Sequence, residues 1–199
     1  MSAERLVDAC RALSAAGLSP GSSGNASVRV GDRILITPTG SAMGRVTVDE
    51  IAVLDVAGAR LAGPTPTKEW AMHLSAYRAR PDIEAVVHLH SRAATAVSCL
   101  AGAGDDDPLP AYTPYRIRML GRVELVDYAA PGSAALAAGV EAAASRSHCL
   151  LLANHGSLVC ATDIDRAVDL CEELEAAAEL TLTLQGHVAR TLDPATAWE

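Results

Sequence analysis

The stretch Val86-Val87-His88-Leu89-His90 constrains the fold more than any other part of the chain. Its branched and apolar residues mark a strand buried on both faces. Side chains alternate along a strand, so His88 and His90, two positions apart, point to the same face. Two imidazoles on one face of so apolar a strand are costly to bury unless a partner meets them. A divalent metal is such a partner. His155, in Ala153-Asn154-His155-Gly156 between two further apolar runs, offers a third nitrogen. Three protein ligands leave a coordination position open, which is the arrangement of catalytic sites rather than structural ones. Three neutral nitrogens suit Zn²⁺, and Mn²⁺, Co²⁺ or Fe²⁺ are also compatible.

Other elements follow from periodicity and turn chemistry. Over residues 3–16, Leu6, Val7, Cys10 and Leu13 recur at helical spacing and Gly17 closes the helix. A dense turn, Ser19-Pro20-Gly21-Ser22-Ser23-Gly24-Asn25, comes next. Residues 27–30 and 33–37 flank Gly31-Asp32 as a hairpin, and 51–56 form a third strand. Pro64-Thr65-Pro66-Thr67 leads into a helix over 68–78, with Thr67 as its N-cap. Beyond the histidine strand, a short helix is expected over 93–100 and a solvated polar loop with Asp105-Asp106-Asp107 over 103–110. A strand over 123–126, an Ala-rich helix over 133–144 and strands over 149–153 and 157–161 come next, and Asp163 caps a long helix running to residue 184. No repeat or long linker divides the 199 residues, so a single α/β layered domain over 1–199 is expected.

Composition narrows the function. Phe is absent and aromatics are only 3%, so the core must be built from Ala, Leu, Val and Ile. The net charge of −8 argues against nucleic-acid or anionic-membrane binding, so local groups must hold any anionic substrate. No apolar run approaches the ~20 residues needed to span a bilayer, and no signal peptide is apparent at the start. The five cysteines, Cys10, Cys99, Cys149, Cys160 and Cys171, are odd in number, lack a C-x-x-C pair and sit in apolar contexts. They read as reduced core residues of a cytoplasmic protein.

Glu69 falls in the first turn of its helix, where the helix dipole favours a negative charge. A first-turn Glu commonly does no more than that, and a catalytic role requires nearness to the metal. His73, four residues on, shares that helix face and has three readings: orienting Glu69, joining the metal, or packing. His148 and His187 read as packed or surface residues. Three short segments suit an anion: Gly24-Asn25 after a Gly/Ser turn, Thr39-Gly40 at a strand end, and Thr67-Lys68 at a helix start. Turns of this composition are common, so none is distinctive alone.

Taken together, Gly24-Asn25-Ala26-Ser27-Val28-Arg29, Ile36-Thr37-Pro38-Thr39-Gly40, Thr67-Lys68-Glu69-Trp70, His88-Leu89-His90 and Asn154-His155-Gly156 resemble the class II aldolase/adducin superfamily. The likeness covers residues 5–185, and five co-linear motifs are far more specific than any one of them. It implies a three-layer α/β/α sandwich around a central mixed β-sheet. It implies His88, His90 and His155 as metal ligands, usually of zinc, and Glu69 as the catalytic acid/base. Gly24, Asn25, Thr39 and Gly40 would match the phosphate-binding loops. Thr67 and Lys68 stand where sugar-phosphate aldolases carry two serines, and Lys68 adds a cation suited to a second anionic group such as a carboxylate. A homotetramer with active sites between subunits is implied, in which a neighbour's aromatic reaches the site; Tyr115 is the candidate.

Within the superfamily, Thr39-Gly40-Ser41-Ala42-Met43-Gly44-Arg45, Val87-His88-Leu89-His90-Ser91 and Thr113-Pro114-Tyr115 are most similar to the 3-oxo-tetronate 4-phosphate decarboxylases. Arg116-Ile117-Arg118 departs from their expected aromatic and aliphatic run, and those two arginines read equally as substrate contacts or surface charges. The resemblance implies a metal-dependent carbon–carbon lyase acting on a small phosphorylated sugar or sugar acid through an enediolate. Related alternatives are a fuculose-, rhamnulose- or ribulose-phosphate aldolase, an epimerase or a dehydratase. A non-catalytic interaction domain like the adducin head is the alternative outside enzymes, and the complete His and Glu set argues against it. A metalloprotease is disfavoured because no H-E-x-x-H helix is present.

Overall fold

The strand carrying His88 ends up in the interior of the sheet. A computed structural model describes residues 1–100 and 107–197. Strands β1 (Asn25–Val30) and β2 (Arg33–Ile36) form the expected hairpin around Gly31-Asp32. Strand β3 (Ala52–Asp55) pairs with β2, and β4 (Arg60–Ala62) with β3. On the other side of β1 lies β5 (Ala85–Leu89), followed across the sheet by β8 (Gly156–Ala161), β7 (Cys149–Leu152) and β6 (Val123–Val126). Only β6 and β7 run parallel, which makes the eight-stranded sheet mixed.

Side-chain alternation divides the core into two layers. Ala85, Val87 and Leu89 of β5 pack with Leu6 and Leu13 of α1 (Ala3–Ala15), Val97 of α3 (Arg92–Ser98), Leu120 of α4 (Pro114–Leu120) and Leu174 of α6 (Ile164–Leu184). Val86 faces the other way, toward Met72 and Leu74 of α2 (Trp70–Ala79) and Leu136 and Val140 of α5 (Ala134–Ala144). The result is the expected three-layer α/β/α arrangement. By the same alternation His88 belongs to the α2–α5 side.

Several boundaries differ from the sequence expectation. Helix α2 starts at Trp70 rather than at 68, and Thr67 is not its cap. The Thr67 hydroxyl accepts the Glu69 N–H at 3.3 Å and its carbonyl accepts the Trp70 N–H at 3.2 Å, closing a turn ahead of the helix. Glu69 occupies the cap position without a side-chain cap bond, so it is not in the first helical turn. Ser133 and Asp163 do cap their helices, accepting the N–H groups of Leu136 and Arg166. A 3-10 turn at Val48–Glu50, the exposed edge strand β4 and the seven-residue α4 were not anticipated. Four cysteines are buried, but Cys99 is exposed and is not a core residue; all five are free thiols. Of the expected loop over 103–110, residues 103–106, including Asp105 and Asp106, lie outside the described residues. No helix among the described residues is long and apolar enough to cross a membrane.

Candidate active site

Three strand ends and the cap of α2 converge at one point. His88, fully buried, lies opposite Asn25 on β1 and Leu158 on β8. Its Nδ1 is 2.7 Å from the Ser157 carbonyl, which can only accept, so Nδ1 carries the proton. In the neutral ring this leaves the Nε2 lone pair aimed into the site. His90 lies one residue beyond β5, with its Nε2 2.9 Å from that of His88. His155 sits in the turn between β7 and β8, after Asn154 in the left-handed region (φ 55°). Gly156 permits this approach: a Cβ there would stand 2.3 Å from the Leu89 carbonyl oxygen. The three imidazole centroids lie 4.7, 4.8 and 4.9 Å apart.

Glu69 completes the cluster. Its Oε2 is 3.3 Å from His88 Nε2 and its Oε1 is 3.4 Å from His155 Nε2. One ligand atom from each of Glu69, His88, His90 and His155 falls within 4.8 Å of the others. Burial pushes the Glu69 carboxyl upward, but a protonated His88, through its charge and an Nε2–H donated to the carboxylate, together with the N–H of Asn25, outweighs it and holds the pKa at about 2. Burial, helped by the neighbouring imidazoles, lowers His90 to about 4 and lowers His155 as well. Neutral imidazoles at His90 and His155 beside an ionised carboxylate belong to the donor set a divalent cation requires. Two Nε2 atoms 2.9 Å apart also need something between their lone pairs, either a proton or a cation.

His73 is not a member of this cluster. Its Nε2 lies 2.6 Å from Asn25 Oδ1, and Asn25 Nδ2 donates to Glu69 Oε2 at 2.9 Å. Of its three sequence readings, an orienting one therefore has contacts to support it. The Asn25 side chain is thus engaged on both ends rather than standing free for an anion. His148 is half-buried beside the Met119 carbonyl, and His187 is exposed.

A cavity of about 220 Å³ opens beside His90 and Glu69. Gly24, Asn25, Thr39, Gly40, Thr67 and Lys68, all expected from sequence, line it. Ser22, Ser23, Ser41 and Pro131 line it too and were not anticipated. Ser22 and Ser23 belong to the same Gly/Ser turn as Gly24, and Ser41 directly follows Gly40, so their signal was present. Pro131 comes from a distant loop; Gly132, next to it, lies so near that a Cβ would stand 2.9 Å from the Lys68 carbonyl oxygen. Lys68 is exposed and makes no salt bridge among the described residues.

Tyr115 lies elsewhere. It is 67% exposed on α4 and lines a separate cavity of about 310 Å³ with Tyr112, Arg116 and Glu173, sharing no residue with the first. Arg116 is buried, ion-paired with Asp107 and bonded to the Gly121 carbonyl, which makes it structural. Glu175, buried on α6, was missed altogether. Its carboxylate accepts from Ser91 Oγ at 2.7 Å, Ala93 N at 2.8 Å and Ala94 N at 2.9 Å, and so fixes the turn that follows His90.

Comparison with known proteins identifies the family. A 3-oxo-tetronate 4-phosphate decarboxylase of Haemophilus influenzae is 40% identical over 190 residues, covering 95% of this chain and 90% of that protein. An L-fuculose phosphate aldolase of Escherichia coli is 37% identical, covering 91% and 82%. The crystal structure of YgbL from Klebsiella pneumoniae superposes with a TM-score of 0.92 at 34% identity, covering 97% of this chain and 96% of YgbL. Residues 4–182 match the family described as class II aldolase and adducin N-terminal domain, and the chain belongs to that family.

Proposed function

We propose that the chain is a divalent-metal-dependent carbon–carbon lyase, and specifically a 3-oxo-tetronate 4-phosphate decarboxylase that releases dihydroxyacetone phosphate and CO₂. The observation that carries this is an ionised Glu69, 3.4 Å from His155, at the wall of a cavity whose other wall is Gly24, Thr39, Gly40 and Lys68. Proton-transfer group, metal donors and anion-binding turns thus share one cleft. The name and 40% identity of the Haemophilus influenzae relative support the substrate class.

His88, His90 and His155 would hold the cation, with Zn²⁺ preferred for its nitrogen donors. A cation there supplies Lewis-acid polarisation of a substrate carbonyl. The backbone N–H groups of the Gly24 and Gly40 turns hold the phosphate and fix the orientation of the reacting carbons. Lys68 meets the carboxylate. As CO₂ leaves, the bonding electrons collect on the neighbouring carbonyl as an enediolate, and one proton is added at the carbon that lost CO₂. Glu69, recharged from solvent, delivers that proton, a kind of help worth on the order of 10²–10⁴-fold.

Tyr115 is exposed and shares no cavity with its own cluster, so it is available to a neighbouring copy. We therefore include in the proposal a homotetramer whose sites take Tyr115 from the adjacent subunit, with residues 1–199 as one functional domain. Five free thiols support a reducing cytoplasmic location. The second reading is a sugar-phosphate aldolase, favoured by the 37% identity to the fuculose phosphate enzyme.

The deciding experiment incubates metal-loaded protein with 3-oxo-tetronate 4-phosphate, fuculose 1-phosphate and ribulose 1-phosphate, measuring dihydroxyacetone phosphate, CO₂ and aldehyde separately. Dihydroxyacetone phosphate with equal CO₂ supports the decarboxylase. Dihydroxyacetone phosphate with an aldehyde and no CO₂ replaces it with the aldolase.

A further inference from the structure

Beneath Glu69 runs a line of buried polar side chains, of which only Asn25 reaches the cavity wall. Asn25 and Ser27, two apart on β1, face His73 and Tyr77, four apart on α2. His73 and Ser27 are fully buried, Tyr77 is 5% exposed and Asn25 6%. The contacts are Glu69 Oε2 to Asn25 Nδ2 at 2.9 Å, Asn25 Oδ1 to His73 Nε2 at 2.6 Å, His73 Nδ1 to Ser27 Oγ at 2.8 Å, and Ser27 Oγ to Tyr77 OH at 3.0 Å.

Chemistry fixes the direction of every bond in this line. An ionised carboxylate can only accept, so the Asn25 amide must turn its NH₂ toward Glu69. Its carbonyl oxygen then faces His73, whose Nε2 must be the protonated nitrogen. Burial holds the His73 pKa down to about 3, so the ring is neutral and Nδ1 carries a lone pair. That lone pair accepts from the Ser27 hydroxyl. Ser27 has then used its only proton, and its oxygen accepts from Tyr77. Reversal at any point would set two donors or two acceptors face to face in a dry interior, which costs more than a lost hydrogen bond.

The line also makes the two oxygens of Glu69 unequal. Oε2 takes the Asn25 N–H, whereas Oε1 is buried with no hydrogen-bond partner among the described residues and faces His155. We infer that Tyr77, Ser27, His73 and Asn25 form a one-way positioning relay that holds the amide N–H on Oε2 and leaves Oε1 as the oxygen that transfers the proton. The role of Oε1 rests on the function proposed above; the orientation of the relay does not. His73 and Tyr77 are positioning residues.

The test has two arms. The first is ¹⁵N NMR of histidine-labelled intact protein, which reads the ring tautomer without substrate. The relay requires a neutral His73 protonated at Nε2 at neutral pH; an Nδ1–H tautomer or an imidazolium would overturn it. The second compares His73→Leu with His73→Gln in steady state, with bound metal measured per chain. The relay predicts that His73→Leu lowers kcat about 10²-fold with KM and metal content unchanged. It predicts that His73→Gln, whose amide N–H can still face Asn25, recovers most of the loss. Equal kcat in His73→Leu and wild type, or no recovery by a folded His73→Gln, would overturn it. If the wild-type protein turns over none of the substrates, the functional reading fails while the tautomer still decides the relay.

Discussion

Changing Glu175 to Gln tests whether a carboxylate 85 residues beyond His90 sets the geometry of the candidate metal site. The side chain is 7% exposed and receives three donors, Ala93 N on Oε1 and both Ser91 Oγ and Ala94 N on Oε2. Gln matches its shape, so little packing is lost, but only one of its two terminal atoms can accept. In the better amide orientation the oxygen replaces Oε2 and only the Ala93 N–H is left facing another donor. A buried donor stripped of its acceptor costs about 1–3 kcal/mol. For a chain of this size each kcal/mol lowers Tm by about 2–4 °C, so calorimetry should show a drop of about 2–12 °C. The turn concerned begins at Ser91, immediately after His90, so metal affinity measured by competition with a chelator should weaken as well, by about 10–100-fold. A Tm within about 1 °C of wild type, together with unchanged metal affinity, would refute the reasoning.

Other perturbations address the remaining parts of the site. Glu69→Gln should retain bound metal, read by elemental analysis, while turnover falls on the order of 10²–10⁴-fold; undiminished turnover would mean that another group moves the proton. Lys68→Ser should raise KM for a substrate bearing both phosphate and carboxylate more than for one bearing phosphate alone, and equal increases would remove Lys68 as a carboxylate contact. Gly156→Ala forces a Cβ to 2.3 Å from the Leu89 carbonyl and should destabilise the fold by about 1–3 kcal/mol in urea titration, as overpacking does. Burial, reinforced by His88 and opposed by Glu69, lowers the His73 pKa from 6.5 to about 3. Unfolding therefore takes up a proton between those values, and stability that is complete above pH 6.5 should drain away as pH falls toward 3. Denaturation across that range should show a slope approaching ~1.4 kcal/mol per pH unit from this group, absent in His73→Leu; identical slopes in the two proteins would contradict it.

The parts of the site that were legible in the sequence are those carried by short-range pattern. The i,i+2 histidines sit on an apolar run, and alternation alone places them on one face. Gly24, Thr39, Gly40 and Lys68 stand in turns whose composition advertises them. What escaped depends on contacts across the chain: Glu175 reaches Ser91 over 84 positions, and Ser27 reaches His73 over 46. Nothing near Glu175 distinguishes it from any other glutamate on an amphipathic helix, apart from its place beside the apolar stripe of Leu174, Ala177 and Ala178. The start of α2 lies later than expected because Thr67 closes a separate turn, its carbonyl accepting the Trp70 N–H, and Glu69 takes the cap position. Helix α4 carried an overlooked signal, Thr113 accepting the Arg116 N–H with Pro114 at the first position. Strand β4 had none, since all three of its residues are exposed and so lack alternation.

The antiparallel pairing of β1, β5 and β8 has a consequence for biosynthesis. At the end of the sheet where the imidazoles meet, β1 begins, β5 finishes and β8 begins again. A ribosome that has made the chain only as far as β7 has released two imidazoles and a carboxylate, but neither His155 nor the Ser157 carbonyl that orients His88. The binding centre cannot exist until the last strand has been threaded between β5 and β7. For the proposed ligand set, metal capture would therefore follow sheet closure, and a nascent or truncated chain would offer a cation only a partial, unoriented set of donors.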